Sequence, residues 1–282
     1  MESKIVFSVI LPVYKGDVPS HFNEAIKSLY QQTLRANEIV VVKDGPLTEA
    51  LEEVIQNWQK KMPELNILGL PQNVGLSSAL NAGINEAKNE WLARMDADDV
   101  CRPYRFEKQI GFIKKNPSLD ILGGWISEFR QSPEESHSVR KLPETHEEIV
   151  NYAKWRCPFN HMTVMYKKSV MQKLGMYKTF EDDNSAGFGE DYELWARFLV
   201  NGYVSGNVQE ILVDARTDED FFTRRRRGLK YFKSEVNELN DLYKLGLINA
   251  FQYGVHFGMK AVVRFSPPLI VKLIYKGIRK TS

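Results

Sequence analysis

Residues 91–99, Trp91-Leu92-Ala93-Arg94-Met95-Asp96-Ala97-Asp98-Asp99, pass from an apolar run of strand length straight into three carboxylates within four positions. The run WLARM reads as a buried strand. The acids at its end repel one another unless a counter-charge lies among them. A hard divalent cation supplies that charge, and Mg²⁺ or Mn²⁺ suits one or two carboxylates whose shell is completed by phosphate oxygens. The competing reading is an ordinary solvated acidic turn. The strand that leads into the acids weighs against it.

Upstream of this stretch the chain alternates apolar runs with amphipathic ones. IVFSVILPVY (residues 5–14) is β-branched, continuous and punctuated by Pro12, as a buried strand would be. HFNEAIKSLYQQ (21–32) has helical spacing, with Ser20 as its expected N-cap. EIVVVKDG (38–45) is a second strand, TEALEEVIQNWQKK (48–61) a second helix, NILGLP (66–71) a third strand and LSSALNAGINEAKN (76–89) a third helix. This alternation predicts an α/β fold built on a mostly parallel, Rossmann-like sheet covered on both faces. In such sheets ligands bind beyond the carboxyl ends of the strands. Three strands bring distinctive residues to that edge: Tyr14 after Pro12-Val13, then Asp44, then Asp96 and Asp98.

Downstream the pattern loosens. Residues 102–116 read as a helix, 121–129 as a strand and 131–145 as an exposed polar loop. Residues 158–175 hold a strand and a short helix, and 189–202 (GEDYELWARFLVNG) a helix with acids in its first turn and Gly202 at its end. From Glu219 onward the chain reads as helical. The domain reading is a catalytic unit over residues 1–215 and a basic, apolar helical extension over 216–282.

The ordered series strand-PVY, strand-KDGP, NVGLSSALNAG, MDADD-x-x-RPYRFEKQ and GEDYELWAR resembles glycosyltransferase family 2, with its nucleotide-diphosphosugar (GT-A) fold, over roughly residues 5–200. The resemblance implies that Pro12, Val13, Tyr14 and Asp44 line the nucleotide base, and that Asn73 and Gly75 also touch the nucleotide. It implies that Asp96 lies near the ribose and that Asp98, with Asp96, holds Mn²⁺ or Mg²⁺. Asp191 would be the catalytic base, taking the acceptor's proton in one displacement that inverts the anomeric carbon. The start of a helix favours an ionised carboxylate there. Lys43 stands where many members carry a second acid before Asp44, and the processive motif QxxRW is absent, so transfer of a single sugar is expected. The donor expected is a UDP-hexose or UDP-N-acetylhexosamine.

Glu190 and Trp195 are candidate acceptor contacts, and Arg224 and Arg227 of the run RRRRG are candidate diphosphate contacts because planar guanidinium groups match phosphate geometry. From Leu242 to Ser282 there is no Asp or Glu, while Lys and Arg alternate with aromatic and aliphatic residues. That composition predicts helices lying on an anionic membrane, with packing against the chain's own core as the alternative. A lipid-diphosphate-linked saccharide is the expected acceptor, in bacterial surface-polysaccharide assembly. The expected location is cytoplasmic, peripheral on the inner face of the membrane.

Composition narrows the rivals. The chain has 282 residues, 43% hydrophobic and 26% charged, and its net charge of +2 is too mild for nucleic acid as the main partner. Its two cysteines form no disulfide framework or CxxC metal pair. A nicotinamide oxidoreductase needs GxGxxG after the first strand, where this chain has PVYKGD. A sugar-phosphate nucleotidyltransferase needs a glycine-rich loop there, also absent. A non-catalytic, membrane-bound carbohydrate-binding protein would be expected to lack Asp191 or the aspartate cluster.

Overall fold

The computed structural model describes residues 5–179, 190–217 and 229–265. The first half runs β1 (Phe7–Val13), α1 (Pro19–Tyr30), β2 (Glu38–Lys43), α2 (Glu49–Gln59), β3 (Leu65–Gly69), α3 (Leu76–Glu86) and β4 (Trp91–Arg94). These strands pair in parallel in the order β3-β2-β1-β4. Every residue of β1 is buried, and the two sides of the strand face different cores. Val9 and Leu11 pack with α1 and α2, whereas Ile10 packs with α3. This two-sided burial is why the strand lacks a polar alternate face.

The second half comprises β5 (Val100–Cys101), α4 (Arg105–Lys115), β6 (Ile121–Phe129), β7 (Ser138–Arg140), α5 (His146–Ala153), β8 (Met165–Lys167), α6 (Lys168–Lys173), α7 (Glu190–Val200) and β9 (Ser205–Arg216). The sheet continues from β4 through β8, β6 and β9 to β5, with β7 on the side of β6. Here the pairing is mixed: β8 is antiparallel to β4 and β6, and β6 and β9 run parallel. The parallel half is thus joined to a mixed half, together making one nine-stranded sheet.

Three readings of the sequence change. Ser20 does not cap α1; Val18 holds that place without a side-chain bond, and Pro19 opens the helix, its fixed φ suited to a first turn. The loop at 131–145 contains β7, which extends the hairpin from β6. The long strand β9 lies in a stretch that showed no strand pattern. Its apolar alternation breaks at Gln209-Glu210, where the register with β6 shifts.

The C-terminal helices α8 (Leu229–Lys244) and α9 (Ala250–Phe265) form a pair. Leu239, Leu242, Leu247 and Ile248 are buried in the same cluster as Trp195 of α7, so the pair shares the core of the sheet's second face. Two of the tail cations are neutralised within the pair: Arg264 meets Glu235 at 2.6 Å, and Lys260 lies 3.4 Å from Glu238. Packing therefore accounts for part of the tail's composition. Phe251, Met259 and Val262 nevertheless remain exposed on one face of α9, with Phe251 at 74%.

Candidate active site

The carboxyl ends of β1, β2 and β4 open into one cleft of about 540 Å³. Pro12, Val13, Tyr14, Asp44, Asn73, Gly75, Asp96 and Asp98 all line it, so eight residues read from four separate stretches of sequence converge. The convergence follows from β1 lying between β2 and β4, which places their chain reversals side by side. Tyr14 stands at the rim, 45% exposed, its ring free to cover a flat ligand.

Asp44 has a local task beyond the cleft surface. Its carboxylate accepts from the backbone N–H of Val74 at 2.7 Å and of Gly75 at 3.1 Å, and from Asn73 Nδ2 at 3.0 Å. The acid thereby ties the 73–75 loop to the end of β2. Gly45 makes that approach possible: its φ is +84°, and a Cβ there would come within 2.5 Å of Asn73 N.

The other end of the cleft is acidic. Asp17, which accepts the Tyr14 backbone N–H at 2.9 Å, joins Asp96 and Asp98 there. Burial raises the Asp17 carboxyl to about 6, against the pull of the Tyr14 N–H and with the help of Asp96. Asp98 is also raised to about 6, by burial, Asp96 and Asp17, with Arg216 opposing. The Asp98 side chain reaches solvent at the cleft mouth, so its crowding by like charge is the firmer cause and water screens part of the effect. Crowded carboxylates of this kind fit a divalent cation. Among the described residues no three His, Cys, Asp or Glu side chains are gathered to hold an ion unaided. The donor set thus matches an ion that completes its shell with ligand oxygens.

Behind the acids, β9 holds the turn in place. Arg216 donates its backbone N–H to Asp99 Oδ1 at 2.8 Å, its Nε to Asp98 O at 3.1 Å and its Nη2 to Glu24 at 2.6 Å. Asp99 is buried, and burial with Asp96 and Asp98 drives its carboxyl well above the usual range. It is a structural anchor for the turn.

Asp191 lies in the first turn of α7. Its Oδ1 accepts the Tyr192 N–H at 2.8 Å, and its Oδ2 is 3.8 Å from Cys157 Sγ and 4.0 Å from His161 Nδ1. His161 bonds Tyr177 Oη through Nε2 at 2.8 Å, and burial, then Arg94, hold the imidazole well below its usual pKa, in the neutral form. The histidine stands beside Asp191 rather than lining the cleft. Arg94, missed in the sequence reading, borders the cleft and pairs with Asp96 at 2.8 Å.

A family model, "Glycosyl transferase family 2", matches residues 8–175. The chain belongs to glycosyltransferase family 2. The amylovoran biosynthesis glycosyltransferase AmsE of Erwinia amylovora is 35% identical over 98% of this chain and 100% of its own length. The UDP-Gal:α-D-GlcNAc-diphosphoundecaprenol β-1,3-galactosyltransferase of Escherichia coli is 33% identical over 96% of this chain and 96% of its own length.

 Among solved structures, Staphylococcus aureus TarS 1-349 in complex with UDP-GlcNAc superposes with a TM-score of 0.67 at 18% identity, covering 93% of this chain and 74% of TarS 1-349. The mannosyltransferase PcManGT of Pyrobaculum calidifontis, in complex with GDP-Man and Mn²⁺, superposes with a TM-score of 0.65 at 15% identity, covering 99% of this chain and 81% of that one. At those identities the two structures speak for the fold.

Of the remaining residues singled out in the sequence of this family 2 member, Glu190 opens α7. Trp195 is corrected: it is wholly buried, with Phe159, His161, Tyr166, Tyr177 and Phe198 packed around its ring, and cannot touch an acceptor. Amphipathic spacing alone did not separate its face of α7 from the face that carries Asp191. Arg224 and Arg227 lie outside the described residues. Asp17 was open to discovery as one more acid just beyond the first strand. Arg94 had its own signal, a charge inside an otherwise apolar strand.

Proposed function

We propose that this family 2 enzyme transfers one sugar from a nucleotide-sugar, a UDP-hexose or UDP-N-acetylhexosamine, to a saccharide carried on a lipid diphosphate, inverting the anomeric carbon, in surface-polysaccharide assembly. The observation that carries the reading is the convergence of Tyr14, Asp44, Asn73, Gly75, Asp96 and Asp98 on one cleft, whose bordering Arg94 feels the charge of Asp191. Tyr14 covers the base, and the loop tied by Asp44 cradles the nucleoside. Asp98 and Asp96 would hold Mn²⁺ or Mg²⁺, which when bound neutralises charge on the departing diphosphate. Asp191, held by the Tyr192 N–H, takes the proton of the attacking hydroxyl. The diphosphoundecaprenol-linked acceptor in the name of the Escherichia coli relative supports the lipid-diphosphate acceptor.

Membrane contact belongs to the same proposal. Among the described residues no helix is long and apolar enough to cross a membrane. The exposed Phe251, Met259 and Val262 on α9 suit insertion into the interface, beside a lipid-borne acceptor.

The test is nucleotide release from a panel of UDP-, GDP- and dTDP-sugars with Mn²⁺ and a lipid-diphosphate-linked N-acetylglucosamine acceptor. Asp191→Asn should keep donor binding and lose about 10²–10⁴-fold in turnover. Near-normal turnover in the variant would move the base elsewhere, and no release with any donor would refute sugar transfer.

A further inference from the structure

Asp191 keeps 30% of its side chain in solvent, although it does not line the donor cleft. An acceptor hydroxyl must come within hydrogen-bond reach of that carboxylate, so the flank of Asp191 bears on what the acceptor touches. That flank is the turn after α5, residues 153–157, and it is held from both sides. Tyr192, next to the base, donates its Oη to Ala153 O, and Cys157 Sγ stands 3.8 Å from Asp191 Oδ2. From the other side the buried His256 of α9 donates Nε2 to Lys154 O at 2.9 Å. The turn therefore joins the base to the helix whose Phe251, Met259 and Val262 stay in solvent.

Trp155 lies in the middle of this turn. Its backbone N–H is bonded to Tyr152 O at 2.9 Å, and its ring packs on His256 with centroids 5.4 Å apart and planes tilted by 35°. Even so, 43% of the residue is exposed. The buried imidazole fixes the indole, so a large aromatic surface meets water with little freedom left to lose on binding. Two residues of chain, at most about 7 Å, separate Trp155 from Cys157 beside the base. The C–H bonds on one face of a pyranose carry slight positive charge and pack on the electron-rich face of such a ring. The ring is seated on a buried histidine near the base rather than among the exposed apolar side chains of α9, which favours a sugar over lipid.

We propose that Trp155 is the platform on which the acceptor saccharide stacks, with its attacking hydroxyl turned toward Asp191. The inference rests on the lipid-diphosphate-linked acceptor proposed above and assigns that acceptor a binding residue.

Trp155→Leu tests it, since leucine keeps apolar bulk against His256 but has no aromatic face, and Trp155→Phe restores a smaller one. Initial rates would be measured with a soluble acceptor, N-acetylglucosamine diphosphate on a short alkyl chain, and with the nucleotide-sugar that wild type uses from the panel above. Trp155→Leu should raise the acceptor KM about tenfold, the size of one well-stacked aromatic contact, and leave donor KM and kcat within about threefold. Trp155→Phe should recover most of that loss, and thermal melts report whether each variant folds. An unchanged acceptor KM in Trp155→Leu, equal rises in acceptor and donor KM, or failure of both variants to fold would make Trp155 a scaffold residue and overturn the inference. Weaker sedimentation of Trp155→Leu with anionic vesicles, at an unchanged KM for the soluble acceptor, would make it a membrane anchor and overturn the inference as well. A wild-type protein that glycosylates this acceptor from no donor would instead overturn the acceptor reading beneath it.

Discussion

Asp17→Asn should make the ligand-free protein more stable, and more so as the pH rises. In the folded chain Asp17 keeps its proton up to about pH 6, because burial and Asp96 outweigh the Tyr14 N–H; its ordinary value is 3.8. Between those values folding takes up a proton, so raising the pH works against the fold, and the penalty is complete above pH 6. A shift of about two units corresponds to about 3 kcal/mol at most. Asp17 is only partly buried, and screening reduces that to about 1–1.5 kcal/mol. Asparagine removes the charge while its Oδ1 can still accept the Tyr14 N–H. Urea unfolding of both proteins at about pH 4.5 and about pH 7.5 measures the difference, and the advantage of the variant should grow by about 1 kcal/mol across that interval. An advantage that does not grow with pH would refute the reasoning that like charge and burial are held against stability in the cleft.

Gly45→Ala should cost about 1–3 kcal/mol and weaken UDP binding, because alanine is strained at a φ of +84° and its Cβ would meet Asn73 N at 2.5 Å; wild-type melting and binding would show that the 73–75 loop does not depend on this turn. Phe251→Ser with Met259→Ser, at exposed sites on α9, should leave the melting temperature nearly unchanged and reduce sedimentation with anionic vesicles. Equal sedimentation of wild type and variant would remove α9 from the membrane reading.

The parallel half of the fold was legible because its information is local. β1 and β2 are apolar without interruption, as strands covered on both faces must be, and α2 carries Thr48, whose side chain caps the helix. The cleft was legible for a related reason: each of its acids follows directly on such a strand, and parallel strands deliver their ends to one edge. The sequence by itself thus pointed to eight residues of the site, though not to Asp17 or Arg94. Only the tertiary structure decided what they do to one another. It buried Trp195 and left Phe251 in solvent, although both lie on amphipathic helices, because burial depends on the partner a helix face meets. It set β9, whose polar residues hide its period, beside β6, and brought Arg216 back to Asp98 and Asp99 across more than a hundred residues. It also brought Asp191 near enough to Arg94, the partner of Asp96, to act on its charge, a relation that exists only once α7 is packed on the sheet that holds β4.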